Sequence, residues 1–236
     1  MTDYDGVLSA TIYDKEIDRQ TLGNDGTTEN GQRIILDFKT LGPIIFRGQA
    51  TVNKGLFEFD FVVPRDISIP VGKGKVSFYS QTEDPLQDNA GANFDLDIGG
   101  LNENAPEDNI GPTIKLYMND ENFVSGGVTN EQPSLIAILE DENGINTASG
   151  IGHDIVAILD NDETNPVVLN NYYETDVDVY QRGRVSYPFR DLEPGLHTLT
   201  FKAWDVYNNS STAEIQFIVF DKDEKLKIEN VLNYPN

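Results

Sequence analysis

The residues of this chain best suited to chemistry are carboxylates gathered in polar segments between apolar runs. Asp120 and Asp141 lie in two such segments and Asp160 and Asp162 share a third, with further acids and amides beside them. Calcium binds several oxygen ligands at once, supplied by carboxylates and carbonyls on loops. Asp160-Asn161-Asp162 resembles the start of a calcium loop, but the glycine and bidentate glutamate of an EF-hand are not in place. These four aspartates are therefore calcium candidates, and solvated turn residues are the alternative interpretation.

The sequence offers no catalytic residue and no site for an organic cofactor. It contains no cysteine, which excludes a cysteine nucleophile, a thiolate metal site and a disulfide within these residues. Its two histidines are His153 and His197. His153 precedes Asp154, but adjacent residues on a strand point to opposite faces, so the two do not form a dyad. We expect structural roles for both histidines.

Three aromatic residues are candidates for contact with another protein or domain. Trp204 has the opposite strand parity to the apolar residues that alternate over 199–203, so we expect it to be partly exposed and able to contact a neighbouring domain. Local packing on the sheet rim is the alternative. Tyr172 and Tyr173 lie in a polar segment, 170–182, that we interpret as a long loop. Aromatic residues on such a loop also suit carbohydrate binding.

Short strands must position these residues, since no segment has the length and 3.6-residue period of a helix. The clearest alternation places Phe57, Phe59, Phe61 and Val63 on one face, which predicts a core strand. The sequence therefore predicts an all-β fold. The predicted strands are 7–13, 33–38, 44–52, 57–63, 76–80, 94–98, 113–118, 134–139, 154–159, 167–169, 184–189, 197–204 and 212–220.

The spacing of these strands predicts two tandem immunoglobulin-like β-sandwich domains, residues 1–101 and 111–221. Residues 102–110 form the linker between them, because this segment has no apolar periodicity and is rich in acids and asparagine. The linker is short, so we expect two sandwiches placed end to end with limited freedom. Residues 222–236 look like the truncated start of a third β domain, since they end in a turn signal.

The net negative charge of the chain excludes some classes of binding partner. The net charge is −23, from 40 acidic residues against 17 lysines and arginines, and such a surface repels nucleic acid and anionic lipid. No apolar run is long enough to span a membrane. The first residues are polar and acidic and do not resemble a signal peptide. We therefore expect no nucleic-acid partner and no membrane insertion, in a cytosolic protein or a piece of a longer secreted one.

The C-terminal half carries a more specific resemblance. A Pro-Gly turn before a strand that ends in Ala-Trp-Asp, with Asn-Asn after it, resembles the last two strands of bacterial immunoglobulin-like domains. The tail IENVLNYPN, residues 228–236, resembles the opening of the C-terminal sorting domain used by the type IX secretion system of Bacteroidetes. That domain commonly begins with a Tyr-Pro-Asn-Pro type motif.

A second resemblance covers most of the chain and is to the PorU-type sortases, gingipain-family cysteine peptidases of the type IX system. The segments similar to their C-terminal region are GPTIKLYMND (111–120), DENGIN (141–146), GIGHDI (150–155), LD (159–160) and WDVYNNS (204–210). Two earlier segments, DGVLSATIYDK (5–15) and GLFEF (55–59), resemble the β-rich region after the caspase-like catalytic domain of these proteins.

The resemblance implies a non-catalytic part of a surface transpeptidase, which removes the sorting domains of exported cargo and attaches the cargo to the cell surface. The catalytic His and Cys of the family would lie upstream. The implied partners are the upstream peptidase domain, other outer-membrane components of the secretion machinery, and the cargo. The alternatives are a carbohydrate-binding or adhesive module of another exported Bacteroidetes surface protein, and a structural spacer.

Overall fold

The computed structural model describes residues 4–83, 85–148 and 152–220. Within these ranges the chain folds into β-strands, with a single turn of 3-10 helix, Asn170–Tyr172. The predicted all-β fold is therefore confirmed. The predicted start of a third β domain, 222–236, lies outside the described residues. None of the helical structure described is long and apolar enough to cross a membrane.

The N-terminal part is built on one antiparallel sheet with the strand order β6-β1-β7-β8. Apolar residues of β1 alternate inward, so Leu8, Ala10 and Ile12 are buried. Two small two-stranded sheets, β2 with β5 and β3 with β4, lie between β1 and β6 in the chain. The strands are β1 (Gly6–Tyr13), β2 (Ile17–Gln20), β3 (Thr28–Glu29), β4 (Gln32–Arg33), β5 (Asp37–Thr40), β6 (Ile44–Val52), β7 (Gly72–Glu83) and β8 (Leu86–Ile98).

The segment 57–63 is not a strand, and only Phe59 and Phe61 of its predicted inner face are half-buried, whereas Phe57 and Val63 are exposed. It forms no ladder with a neighbouring strand, which corrects the sequence-based interpretation. Phe59 and Phe61 instead stack on Phe46 of β6, with ring centroids 5.9 and 4.5 Å apart. The phenylalanines therefore cover the apolar face of the sheet through side-chain packing, which needs the alternation but no strand partner.

The C-terminal part is a sandwich of two sheets, with strand orders β10-β17-β16-β12-β13 and β14-β15-β11-β9. All neighbours are antiparallel except β10 and β17. One continuous core joins the sheets, for example through Leu139 of β11 and Phe201 of β16. The strands are β9 (Thr113–Met118), β10 (Gly127–Thr129), β11 (Ser134–Glu140), β12 (Val156–Leu159), β13 (Val167–Val168), β14 (Tyr173–Asp176), β15 (Val179–Pro188), β16 (Gly195–Trp204) and β17 (Ser210–Val219).

The segment 170–182, expected to be a long loop, contains most of a hairpin. It holds β14 and the first residues of β15, which pair with each other. Tyr173 begins β14 and is only 1% exposed, so the expectation of a contact surface at Tyr173 is wrong. Its ring crosses Gly183 of β15, where even a Cβ atom would lie 2.6 Å from the tyrosine hydroxyl. The polar composition of the segment concealed an inward-facing residue on an edge strand.

Candidate functional site

The two parts of the chain meet at a joint centred on Asp66, which follows the phenylalanine-rich segment. Its carboxylate accepts hydrogen bonds from Asn146 Nδ2 at 2.8 Å and Asn208 Nδ2 at 2.9 Å. His153 Nδ1 lies 2.8 Å from Asp66 Oδ2, and since an ionised carboxylate only accepts, this nitrogen carries the proton. Burial opposes the charge on Asp66, but these donors outweigh it and hold the pKa of Asp66 below its ordinary value. The ionised carboxylate of Asp66 is thus stabilised by three side chains of the C-terminal part.

A second set of contacts joins the edge of β6 to the β14–β15 hairpin. Gln49 forms a parallel bridge with Val177, and Gln49 O accepts the amide of Asp178 at 2.9 Å. The carboxylate of Asp178 in turn accepts from both the amide and the hydroxyl of Thr51, at 2.8 and 2.6 Å. Backbone pairing therefore crosses between the two parts, and it covers the outer edge of β6.

Apolar packing also crosses the joint. Ala148 and Tyr180 of the C-terminal part pack in the same hydrophobic cluster as Ile12, Phe46 and other residues of the N-terminal sheet. The arrangement differs from two sandwiches touching only at their ends, because strand edge, polar network and core all contribute. The limited freedom expected from the short linker stays a prediction.

Trp204, an interface candidate, lies beside this joint. It is half-buried, its ring centroid is 4.4 Å from that of His153, and the ammonium of Lys202 sits 4.2 Å from the ring centre. Since His153 binds Asp66, the indole supports the ring that links the two parts. Contact of Trp204 with a further domain stays a prediction.

Three carboxylates converge at the base of the linker. Ligand atoms of Asp108, Asp141 and Asp205 all lie within 4.8 Å of one another. Asp141 and Asp205 are buried, and each caps its own turn: Asp141 Oδ1 accepts from the amides of Asn143 and Gly144, at 2.9 and 3.1 Å. The sequence placed Asp141 among the calcium candidates but missed Asp108 and Asp205 as its neighbours.

Ionising all three carboxylates of this acidic cluster at once is unfavourable, because they are close together and two of them are buried. Burial raises the pKa of Asp141 to about 6, and repulsion by Asp205 and Asp108 contributes in the same direction. Burial also raises the pKa of Asp205, against the hydrogen bonds that it accepts from Asn209 and Tyr207. Closely spaced carboxylates of this kind hold a proton or a cation between them, and oxygen ligands suit Ca²⁺.

The other calcium candidates are not brought together. Asp120 accepts the amide of Asn122 at 2.8 Å in an exposed turn. Asp162 accepts from Thr164 and Asn165, and these bonds hold its pKa below the ordinary value. Asp160 binds His197 instead. Asp120 and Asp162 thus anchor turns, whereas Asp160 bonds residues of strand β16, and calcium binding at these three residues stays a prediction.

The second histidine is held as an imidazolium. His197 Nδ1 lies 2.7 Å from the Asp160 carboxylate and Nε2 lies 2.7 Å from the Glu193 carbonyl. Both partners are acceptors, so both ring nitrogens donate. Burial opposes this charge, but the Glu193 carbonyl and Asp160 outweigh it and raise the pKa of His197. Neither histidine contacts a nucleophile in the described part of the chain.

Comparison with known proteins gives a similarity to a solved structure. No family model matches the chain, and no curated protein matches it. Among solved structures the chain is similar to dimeric latent PorU from Porphyromonas gingivalis, with 27% sequence identity and a TM-score of 0.48. The match covers 94% of this chain and 20% of that one, so the chain spans about a fifth of the length of the protein it matches.

Proposed function

We propose that this chain is a non-catalytic β-rich region of a gingipain-family cysteine peptidase that acts as a surface sortase of the type IX secretion system. Its task is to hold the upstream peptidase domain and a C-terminal domain in a fixed arrangement, and to dock on other outer-membrane components of the machinery. The parent protein removes the sorting domains of exported cargo and attaches the cargo to the cell surface.

The observation that carries the scaffolding role is the joint at Asp66. A scaffold must resist bending, and here a charged side chain of the N-terminal part is bonded to three side chains of the C-terminal sandwich. The network is part-buried, and removing the Asp66 carboxylate costs roughly 1–3 kcal/mol because the donors that it satisfied are left unpaired. The sortase assignment is supported by the ordered motifs from residue 5 to residue 210.

The proposal is tested in the bacterium that encodes the chain. Deleting the parent gene should leave exported cargo with its sorting domain uncut, seen as a larger band on a gel, and should release that cargo into the medium. Normal cargo processing in the deletion strain would overturn the sortase assignment.

The scaffolding role needs a subtler change, Asp66→Ala in the full parent protein. We expect surface attachment of cargo to fall while cleavage of a short soluble peptide by the purified parent is retained. Asp88→Ala is the matched control, since Asp88 is exposed and its side chain lies only near Tyr79, 3.4 Å away. Equal behaviour of the two variants would refute a scaffolding joint.

A further inference from the structure

A cleft in the C-terminal sandwich has the size and mixed lining of a small-ligand site. Its volume is about 720 Å³, within the range common for ligand pockets. One side is formed by the end of β12 and the turn that follows it, and the other by the last residues of β15. The cleft lies away from the Asp66 joint and from the acidic cluster, so neither accounts for its shape.

One wall of the cleft is a row of aromatic rings in fixed positions. Tyr172 meets Tyr187 edge-to-face at 4.9 Å, and Tyr187 meets Phe189 in the same way at 5.1 Å. Phe189 is buried in the core, whereas Tyr172 is 45% exposed. The outer ring is thus held by inner ones while part of its surface stays open, so binding would cost little side-chain entropy.

On the opposite side of the cleft, the carboxylate of Asp160 is a hydrogen-bond acceptor that is also held in a fixed orientation. Asp160 Oδ2 binds the buried His197 at 2.7 Å and Oδ1 accepts the amide of Thr198 at 2.9 Å. The side chain of Asp160 is nevertheless 46% exposed, so the remaining lone pairs of its carboxylate face the cleft and solvent. Asn165 lies beside it, and the exposed guanidinium of Arg190 supplies N–H donors at the rim.

The charges around the cleft cancel, which restricts the ligand. Asp160 is paired with the imidazolium of His197 behind it, and Asp162 and Arg190 each add one charge, of opposite sign, to the lining. A strongly ionic ligand therefore gains little. The cleft instead suits a neutral ligand. Such a ligand needs hydroxyl-like groups that both donate and accept hydrogen bonds, and one apolar face to lie on the exposed aromatic ring.

We propose that this cleft binds a neutral saccharide, with one sugar ring lying against Tyr172. The C–H face of a pyranose supplies the apolar surface for the tyrosine ring. Its hydroxyls donate to Asp160 and Asn165 and accept from Arg190. The site is independent of the sortase assignment, because it is argued from the cleft alone.

The test is affinity electrophoresis of the full chain in gels containing soluble glucan, mannan or laminarin, followed by titration calorimetry with oligosaccharides of any polymer that retards it. We expect retardation by at least one polymer. Tyr172→Ala should weaken binding about tenfold or more, the effect typical of a truncated aromatic anchor. Tyr79→Ala is the matched control, because Tyr79 is 44% exposed on the N-terminal sheet, and it should bind normally.

Arg190→Ala, an exposed substitution, provides a second variant should Tyr172→Ala fail to fold, and it should also weaken binding. Failure of all three polymers to retard the folded chain would overturn the proposal. An equal loss of binding in Tyr172→Ala and Tyr79→Ala would overturn it too. So would a chain that is slowed only by a polyanion such as polygalacturonate in the gel.

Discussion

Replacing Asp141 with asparagine isolates the charge of the acidic cluster from its shape. The Oδ1 atom of Asp141 caps the turn by accepting the amides of Asn143 and Gly144, and an asparagine carbonyl can accept the same bonds. The other atom changes from an oxygen to an amide, which removes the repulsion by Asp108 and Asp205. Asp141→Asn therefore keeps the turn and deletes one buried charge.

The magnitude follows from the pKa of Asp141, which burial, with repulsion by Asp205 and Asp108, raises from 3.8 to about 6. At roughly 1.4 kcal/mol per unit, holding this group ionised costs the folded state up to about 3 kcal/mol. Because the folded pKa is raised, the stabilising contribution is complete below the unfolded value and is lost as the pH rises through about 6. Asp141→Asn should therefore exceed the wild type in unfolding free energy by up to about 3 kcal/mol near pH 7.5, and match it near pH 3.5.

Urea unfolding with EDTA at both pH values measures this difference. Asp120→Asn is the control, since Asp120 caps an exposed turn and its substitution should change stability by less than about 0.5 kcal/mol. A variant at Asp141 that is no more stable than the wild type near pH 7.5 would refute the electrostatic reasoning. Repeating the series in millimolar CaCl₂ tests calcium binding: a bound ion stabilises the wild type more than Asp141→Asn.

Two further substitutions test packing in the C-terminal core, and urea unfolding measures both. Tyr173→Phe should leave stability unchanged or raise it by about 1 kcal/mol, since the buried hydroxyl has no hydrogen-bond partner in the described structure; a loss above about 2 kcal/mol would reveal one. Gly183→Ala should cost about 3 kcal/mol or more, because its Cβ would collide with the Glu174 carbonyl and the Tyr173 ring; wild-type stability would show that β14 shifts freely.

Several strands could be predicted from sequence almost to the residue, because their β-branched and apolar runs end at turn residues. The predicted 44–52 and 113–118 coincide with β6 and β9. The prediction failed where alternation served packing without pairing, as in 57–63, because period 2 reports which side a residue faces and not what its backbone binds. It also failed at β14, because this is an edge strand of its sheet and most of its residues are polar, which is typical of a loop.

The site residues were harder to predict because their partners are distant in sequence. Asp66 meets Asn208 across 142 positions, and no local pattern marks such a pair. Asp205 has a local signal, since an aspartate directly after a strand and before Asn-Asn is typical of a turn anchor. It does accept the Tyr207 and Asn209 amides, whereas its closeness to Asp141 depends on how the strands are arranged.

The loop 205–209 connects the acidic cluster to the joint. Asp205 shapes this loop by accepting the amides of Tyr207 and Asn209, at 2.9 and 2.7 Å, and Asn208 then reaches Asp66. The loop that carries one carboxylate of the cluster therefore also supplies a donor to the joint. At the acidic end the joint fails when Asp66 itself protonates, below its already lowered pKa. The two shifts have opposite signs, so a rise in pH disfavours the acidic cluster, whereas a fall in pH below the pKa of Asp66 disfavours the joint.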